Sequence, residues 1–212
     1  MTDYNITQIT TNTNYWFRDP FVYGIIVESL DGKEIYGGTR LQVKAKETLL
    51  PLEEALAELD NKVLSIVEQY STNGTGELCG LWNSKKMSGK GYSILLTRAA
   101  IARASIVLAR QLNLNSLFVL CGPYTVQLAK SMGFVAEESV GNKGTFIYPR
   151  PDLIASLLTI KDLKQLKSAD PDQRNKIISL RKQPKQKRVE YGPKGQIIEV
   201  EYDLRISNED TF

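Results

Sequence analysis

Three lysines and two glycines crowd into the run Ser84-Lys-Lys-Met-Ser-Gly-Lys-Gly91. A short apolar stretch, residues 78–82, precedes it, and helical spacing from 92 to 112 follows. A second buried-looking apolar run occupies 116–121. Strand, basic glycine loop, helix and strand make a βαβ unit. A loop of that kind at a helix N-terminus suits an anionic phosphate, because unpaired amides point outward there and the helix dipole favours negative charge. Lys85, Lys86 and Lys90 around it suit such an anion, and equally suit a solvated loop. Arg40 lies on a strand whose other face is apolar, where it can clamp a carboxylate in bidentate fashion or form a structural ion pair.

The residues that are missing restrict the chemistry as much. The chain has no histidine and only two cysteines, Cys79 and Cys121. A Ser-His-Asp or Cys-His nucleophile is therefore excluded, and so is a Cys/His zinc site; no metal is expected. Proton transfer falls to a carboxylate, tyrosine, lysine, cysteine, water or the substrate. Both cysteines sit within apolar strands and are expected to be reduced core residues.

The flanking elements follow from periodicity. Residues 21–29 and 34–43 are rich in β-branched and aromatic types and are joined by Asp31-Gly32, a hairpin signal. Pro51 opens a helix over 51–70, with Leu52, Leu56, Leu59, Val63, Ile66 and Tyr70 on one face. After Cys121 a short helix from Tyr124 to Met132 stops at Gly133, and 134–140 pairs with 145–148 as a hairpin across Gly141-Asn-Lys-Gly144. Past Pro149 the pattern reads as three short helices, 152–158, 160–167 and 171–182, and then a hairpin of 187–191 with the alternating strand 198–206. The expected division is a domain over 1–150, with an N-terminal arm over 1–20, and a C-terminal extension over 151–212.

At 212 residues, 42% hydrophobic and 24% charged, the chain has the composition of a soluble globular protein. The net charge of +3 is too small to argue for nucleic acid. Six Lys or Arg residues and one Glu fall between Arg181 and Gly195, but no interleaved aromatics accompany them for stacking bases. No run reaches the ~20 apolar residues of a membrane span, and the polar N-terminus lacks a signal region. The expectation is a cytoplasmic protein.

This order of elements resembles the GCN5-related N-acetyltransferase (GNAT) superfamily. The family's loop of Arg or Gln, two residues, Gly, one residue, Gly or Ala is similar to Lys86-Met-Ser-Gly89-Lys-Gly91, with lysine in the first place. Ser131-Met-Gly-Phe134 looks like its last core motif. Gly37-Gly-Thr-Arg40-Leu41 and Glu77-Leu-Cys-Gly-Leu81 look more like the branch of N-acyl amino acid synthases and acyl-homoserine lactone synthases. The resemblance covers roughly residues 21 to 148.

The resemblance implies an α+β fold: a mixed sheet with splayed central strands, flanked by helices, with a C-terminal helix and β-hairpin added. It implies an N-acyltransferase that moves an acyl group from coenzyme A, or from the phosphopantetheine of an acyl carrier protein, to a small-molecule amine by direct attack. Main-chain groups around Leu81, Trp82 and Asn83 would hold pantetheine as a pseudo-strand. The loop from Lys86 through Ser88, Gly89, Lys90, Gly91, Tyr92 and Ser93 would cradle the diphosphate. Glu77 would be the general base, unless it is simply a strand-end carboxylate in an ion pair. The tyrosine that protonates the leaving thiolate in the family is replaced by Ala129, so Tyr124 is the candidate acid, with core packing as its other reading. That replacement keeps a second reading open, a catalytically degenerate fold that binds a ligand or partner. Candidate partners are an acyl carrier protein and a second copy of the chain through the C-terminal hairpin.

Overall fold

The computed structural model describes residues 15–107 and 114–205. Its centre is a seven-stranded mixed sheet in the order β1 (Val22–Glu28), β2 (Ile35–Val43), β3 (Gly76–Asn83), β4 (Leu117–Cys121), β7 (Ile154–Ile160), β5 (Val135–Ala136), with β6 (Thr145–Ile147) also on β7. The β1–β2 hairpin forms as expected from its turn, where Gly32 supplies a φ of +70°. β2 is buried along almost its whole length, because it is sandwiched between β1 and β3 and covered by α3 (Tyr92–Val107).

The helices lie on both faces of the sheet. On one face, the small residues Ala99, Ala100, Ala102 and Ala104 bring α3 close to the sheet, and Leu96 and Ile101 fill the gaps. The positions after 107 that extended the expected helix lie outside the described residues. On the other face, α1 (Pro51–Leu56) and α2 (Lys62–Ser71) pack Leu52, Leu56, Val63 and Val67 against Phe118, Phe146 and Leu157.

Where one helix over 51–70 was expected, the chain breaks between α1 and α2. The Asp60 carboxylate competes with the helix ladder. One of its oxygens accepts from Lys62 N–H at 3.0 Å and the other from Gly141 N–H at 2.8 Å. Leu59, counted as an inner-face residue, is consequently 54% exposed.

The largest departure comes after Pro149. Residues 152–158 do not form a helix; β7 occupies 154–160 and pairs with β4 on one edge and with β5 and β6 on the other. Its Leu, Ala and Ser residues carry no strong strand preference, and a short apolar run suits either state. Two hydrogen-bonding edges and burial decide for strand. The expected hairpin of 134–140 with 145–148 is absent for the same reason, since both segments pair with β7 instead. Residues 161–169 turn rather than coil, with Leu163 and Leu166 buried. β7, beyond residue 150, is thus part of the central sheet.

Only α5 (Pro171–Lys182) forms where the three helices were expected. The hairpin of β8 (Lys185–Tyr191) and β9 (Ile197–Asp203) forms as expected. It packs on its own chain. Arg98 of α3 pairs with Glu190 of β8 at 2.7 Å, with both side chains buried, and Tyr202 and Leu204 join the main core. On its outer face Lys187 pairs with Glu201 at 3.1 Å and Lys185 with Asp203 at 3.9 Å, so part of the basic run is matched by carboxylates. Among the described residues no helix is long and apolar enough to cross a membrane.

Candidate functional site

Two irregularities in the central strands open the site. First, β3 and β4 run parallel but pair at a single position, Glu77 with Phe118. Beyond it the strands splay. Second, β3 carries a bulge. Gly38 faces Trp82 and Arg40 faces Cys79, so Gly80 and Leu81 together oppose Thr39. Gly80 has a φ of +63°, a conformation that costs other residues about 1–2 kcal/mol. A bulge of this kind bends its strand and leaves the extra residue unpaired.

A cavity of about 370 Å³ fills the gap. One wall is β3 from Glu77 to Leu81, and the other is β4 with the turn Gly122–Thr125. Thr97, Leu128, Ala129, Phe134 and Tyr148 close it. The lining is predominantly apolar, which suits an acyl chain or a pantetheine arm.

Glu77 is the charged side chain on this wall and is only 2% exposed. One carboxylate oxygen accepts from Leu52 N–H at 2.8 Å, capping the first turn of α1. Burial pushes its pKa up to about 8, against smaller opposing effects from that hydrogen bond and from Arg40. The group is therefore mostly a neutral acid at pH 7 and becomes a base just above it. It is not the exposed ion-paired carboxylate of the alternative reading. The capping of α1 by the neighbouring Glu53 is separate: Glu53 accepts from Leu50 N–H at 2.7 Å and pairs with Lys44 at 2.8 Å.

The two thiols are unsuited to attack. Burial raises Cys79 to about 12 and Cys121 to about 11, so neither is appreciably a thiolate at neutral pH. Both are free and buried, as expected.

Tyr124 stands on the rim of the cavity, 96% exposed. It does not begin the short helix, because α4 (Val126–Ser131) starts two residues later, and it does not pack in the core. Ala129 also lines the cavity. Tyr148 and Thr97 also reach the cavity, and sequence reasoning missed both. Tyr148 precedes Pro149 at the end of an expected hairpin, and only the pairing of β6 with β7 brings it to the wall. Gly80 was missed too; a glycine inside a strand pattern was its signal.

The glycine loop lies at the far end of β3. A 3-10 turn at Lys85–Met87 buries Met87, and Gly89 and Gly91 take φ values of +72° and +93° before α3 begins. Asn83 Nδ2 donates to Ser93 Oγ at 2.6 Å, tying the end of β3 to the first turn of α3. Ser88, Gly89 and Lys90 are exposed, whereas Gly91, Tyr92 and Ser93 are half-buried. Lys86 pairs with Glu34 at 2.9 Å with both side chains largely exposed, so this lysine already has an anionic partner. Trp82, expected on a central strand, is 43% exposed.

Arg40 does not line the cavity; it lies behind the β3 wall. Its Nε donates to Cys79 Sγ at 3.0 Å, and its guanidinium sits 5.0 Å over the Trp16 ring. The side chain is buried and Nη1 has no hydrogen-bond partner. Among the described residues no cluster of acidic or cysteine side chains could hold a metal ion.

No family model matches the chain, and no curated protein matches it in sequence. Solved structures do match its fold. FeeM, an N-acyl amino acid synthase from uncultured soil microbes, superposes with a TM-score of 0.51 at 12% identity, over 72% of this chain and 79% of that one. A chimera of the spermidine N-acetyltransferase SpeG from Vibrio cholerae and hSSAT aligns at 0.45 and 16%, over 72% and 74%. The CoA-dependent acyl-homoserine lactone synthase BjaI aligns at 0.46 and 11%, over 76% and 66%. The likeness to FeeM shows the fold alone: the chain shares that protein's α+β architecture, here a mixed sheet with splayed central strands, flanking helices and a C-terminal hairpin.

Proposed function

We propose that the protein is an N-acyltransferase that takes an acyl group from a coenzyme A or carrier-protein thioester and delivers it to a small amine. One observation carries the reading. The gap between β3 and β4 is apolar, begins at a buried carboxyl group and leads along β3 to a glycine loop at a helix N-terminus. Those are the three parts a long thioester needs: a slot for the acyl and pantetheine groups, a proton acceptor, and amides for the diphosphate.

In this reading the pantetheine arm adds to the free edge of β3 beyond Glu77, with main-chain groups of Leu81, Trp82 and Asn83 as partners. The amides of Gly89 and of residues 91–93 face the diphosphate, those of Ser88 and Lys90 being engaged by the Lys85 and Met87 carbonyls, and Lys90 adds charge. Glu77, once deprotonated, takes the proton that the attacking ammonium must lose. The amine nitrogen then bonds to the thioester carbonyl carbon, and the C–S bond breaks to release the thiol. Backbone N–H groups at the Gly80–Leu81 bulge support the oxyanion. Tyr124 on the rim and Tyr148 on the wall are the candidate proton donors to the leaving sulfur. Arg40 is the candidate clamp for an acceptor carboxylate, supported by its unpartnered Nη1, and its reach to the cleft depends on a shift of the side chain. The acyl carrier protein as donor, and a dimer through the outer face of the β8–β9 hairpin, stay as proposals of the same reading.

Calorimetric titration with acetyl-CoA, longer acyl-CoAs and an acyl carrier protein tests the reading. Binding by at least one is expected, and heat from none of them overturns it.

A second reading rests on Ala129 and on the protonated state of Glu77: a ligand-binding protein without turnover. Multiple turnovers with any amine, lost in Glu77→Gln, exclude it.

A further inference from the structure

The turn between β8 and β9 is seated on the glycine loop. Gln196 Nε2 donates to the Lys90 carbonyl at 3.0 Å, while Gln196 Oε1 accepts from Lys194 N–H at 3.0 Å. A backbone N–H can only donate and a carbonyl can only accept, so a carboxamide serves both where a carboxylate cannot. Gly91 lies under the same turn. A Cβ there would fall 2.9 Å from Pro193 Cδ and 3.2 Å from Gly192 Cα. Gly192 is buried beneath the Gln196 side chain, which leaves it no room for a Cβ.

The body of the hairpin is anchored to α3, the helix that this loop starts. Besides the buried Arg98–Glu190 pair, Arg103 Nη1 donates to the Leu204 carbonyl at 2.6 Å. The hairpin therefore joins the middle of α3 to the loop at its N-terminus.

The peptide between Lys90 and Gly91 is planar and trans, so its C=O and N–H point in opposite directions. Holding the Lys90 carbonyl against the hairpin turns the Gly91 N–H away from it. We propose that Gln196 is a positioning residue for donor binding: its side chain sets the Lys90–Gly91 peptide so that the loop amides are oriented for diphosphate oxygens before the donor arrives. The proposal rests on the reading of this loop as the diphosphate site, and it gives the C-terminal hairpin a part in donor binding. Fixing a binding loop in advance raises affinity by removing an ordering cost from the binding step.

Gln196→Met keeps the side-chain length and removes both polar contacts. Wild type and variant are titrated with coenzyme A, which carries the diphosphate, and with S-acetylpantetheine, which stops short of it. The proposal expects about a tenfold weaker Kd for coenzyme A, the loss of roughly one hydrogen bond's worth of orientation, with S-acetylpantetheine binding and Tm unchanged. Gln196→Asn, which keeps the carboxamide on a shorter stem, is expected to fall between. Unchanged coenzyme A affinity in Gln196→Met overturns the proposal, and so does an equal loss for both ligands. If wild type binds neither ligand, the acyl-donor reading itself fails, an outcome distinct from a variant that binds coenzyme A as tightly as wild type.

Discussion

Glu77 and Phe118 face each other at the one registered position that joins β3 to parallel β4. Both side chains lie on the face of the sheet that carries α1 and α2: the Glu77 carboxyl group lines the cavity and accepts from Leu52 N–H at the α1 N-terminus, and Phe118 packs under α2. The fork of the sheet and the candidate base are thus the same residue, and several consequences can be measured.

Glu77 makes stability fall as pH rises. Its folded pKa, about 8, lies above the 4.5 of the unfolded chain. Between those values the folded state holds a proton that the unfolded state has lost, so the slope of unfolding free energy against pH is negative there. The contribution is fully present below about 4.5 and lost as pH passes 8, amounting to a few kcal/mol. Thermal melts of wild type and Glu77→Gln across pH 4.5–8.5 should show a declining Tm only in wild type.

The same group sets the pH dependence of turnover. A base must be deprotonated to act, so kcat/KM is expected to rise with pH and level off above about 8. Glu77→Gln is expected to lose about 10²–10⁴-fold and to lose the Glu77 inflection. Steady-state rates against pH for both proteins, with one amine, check this.

Gly80→Ala tests the bulge. The φ of +63° should cost about 1–2 kcal/mol, read by denaturant melts. Because the nearest outside atom to the new methyl is Arg40 Cγ at 3.9 Å, steric collision adds little. If the bulge forms the thioester site, acyl-CoA affinity falls as well.

Ala129→Phe places a ring inside the cavity that Ala129 lines. A ring occupying that space is expected to weaken binding of longer acyl-CoAs more than that of acetyl-CoA. Titration with a chain-length series reads the difference.

Breaking the Arg98–Glu190 pair should destabilise the whole chain rather than the hairpin alone. Glu190→Gln leaves Arg98 buried without its counter-charge, a loss of about 3–5 kcal/mol in denaturant melts.

The sequence revealed the fold best where local and tertiary preferences agree. The Asp31-Gly32 hairpin, the alanine-lined α3 as far as Val107 and the alternating β9 as far as Asp203 formed as read. β7 was misread because Leu, Ala and Ser tolerate helix, and only pairing on both edges makes the segment a strand. That error also hid Tyr148, which reaches the cavity through the β6–β7 pairing. Glu77 was chosen for its place on the central strand, but the burial that raises its pKa, and the Leu52 N–H that opposes the rise, are visible only in three dimensions. Lys86 and Arg40 were chosen for their charge; Glu34 and Cys79, the partners that engage them, are visible only in three dimensions.

The central claim is that the fork between β3 and β4 receives a thioester donor. A crystal structure with a bound acyl-CoA tests it most directly. The acyl and pantetheine groups are expected between residues 78–82 and 116–121, with the thioester beside the Gly80–Leu81 bulge and the diphosphate against the loop of 88–93. A donor bound elsewhere, with the fork empty, would contradict it.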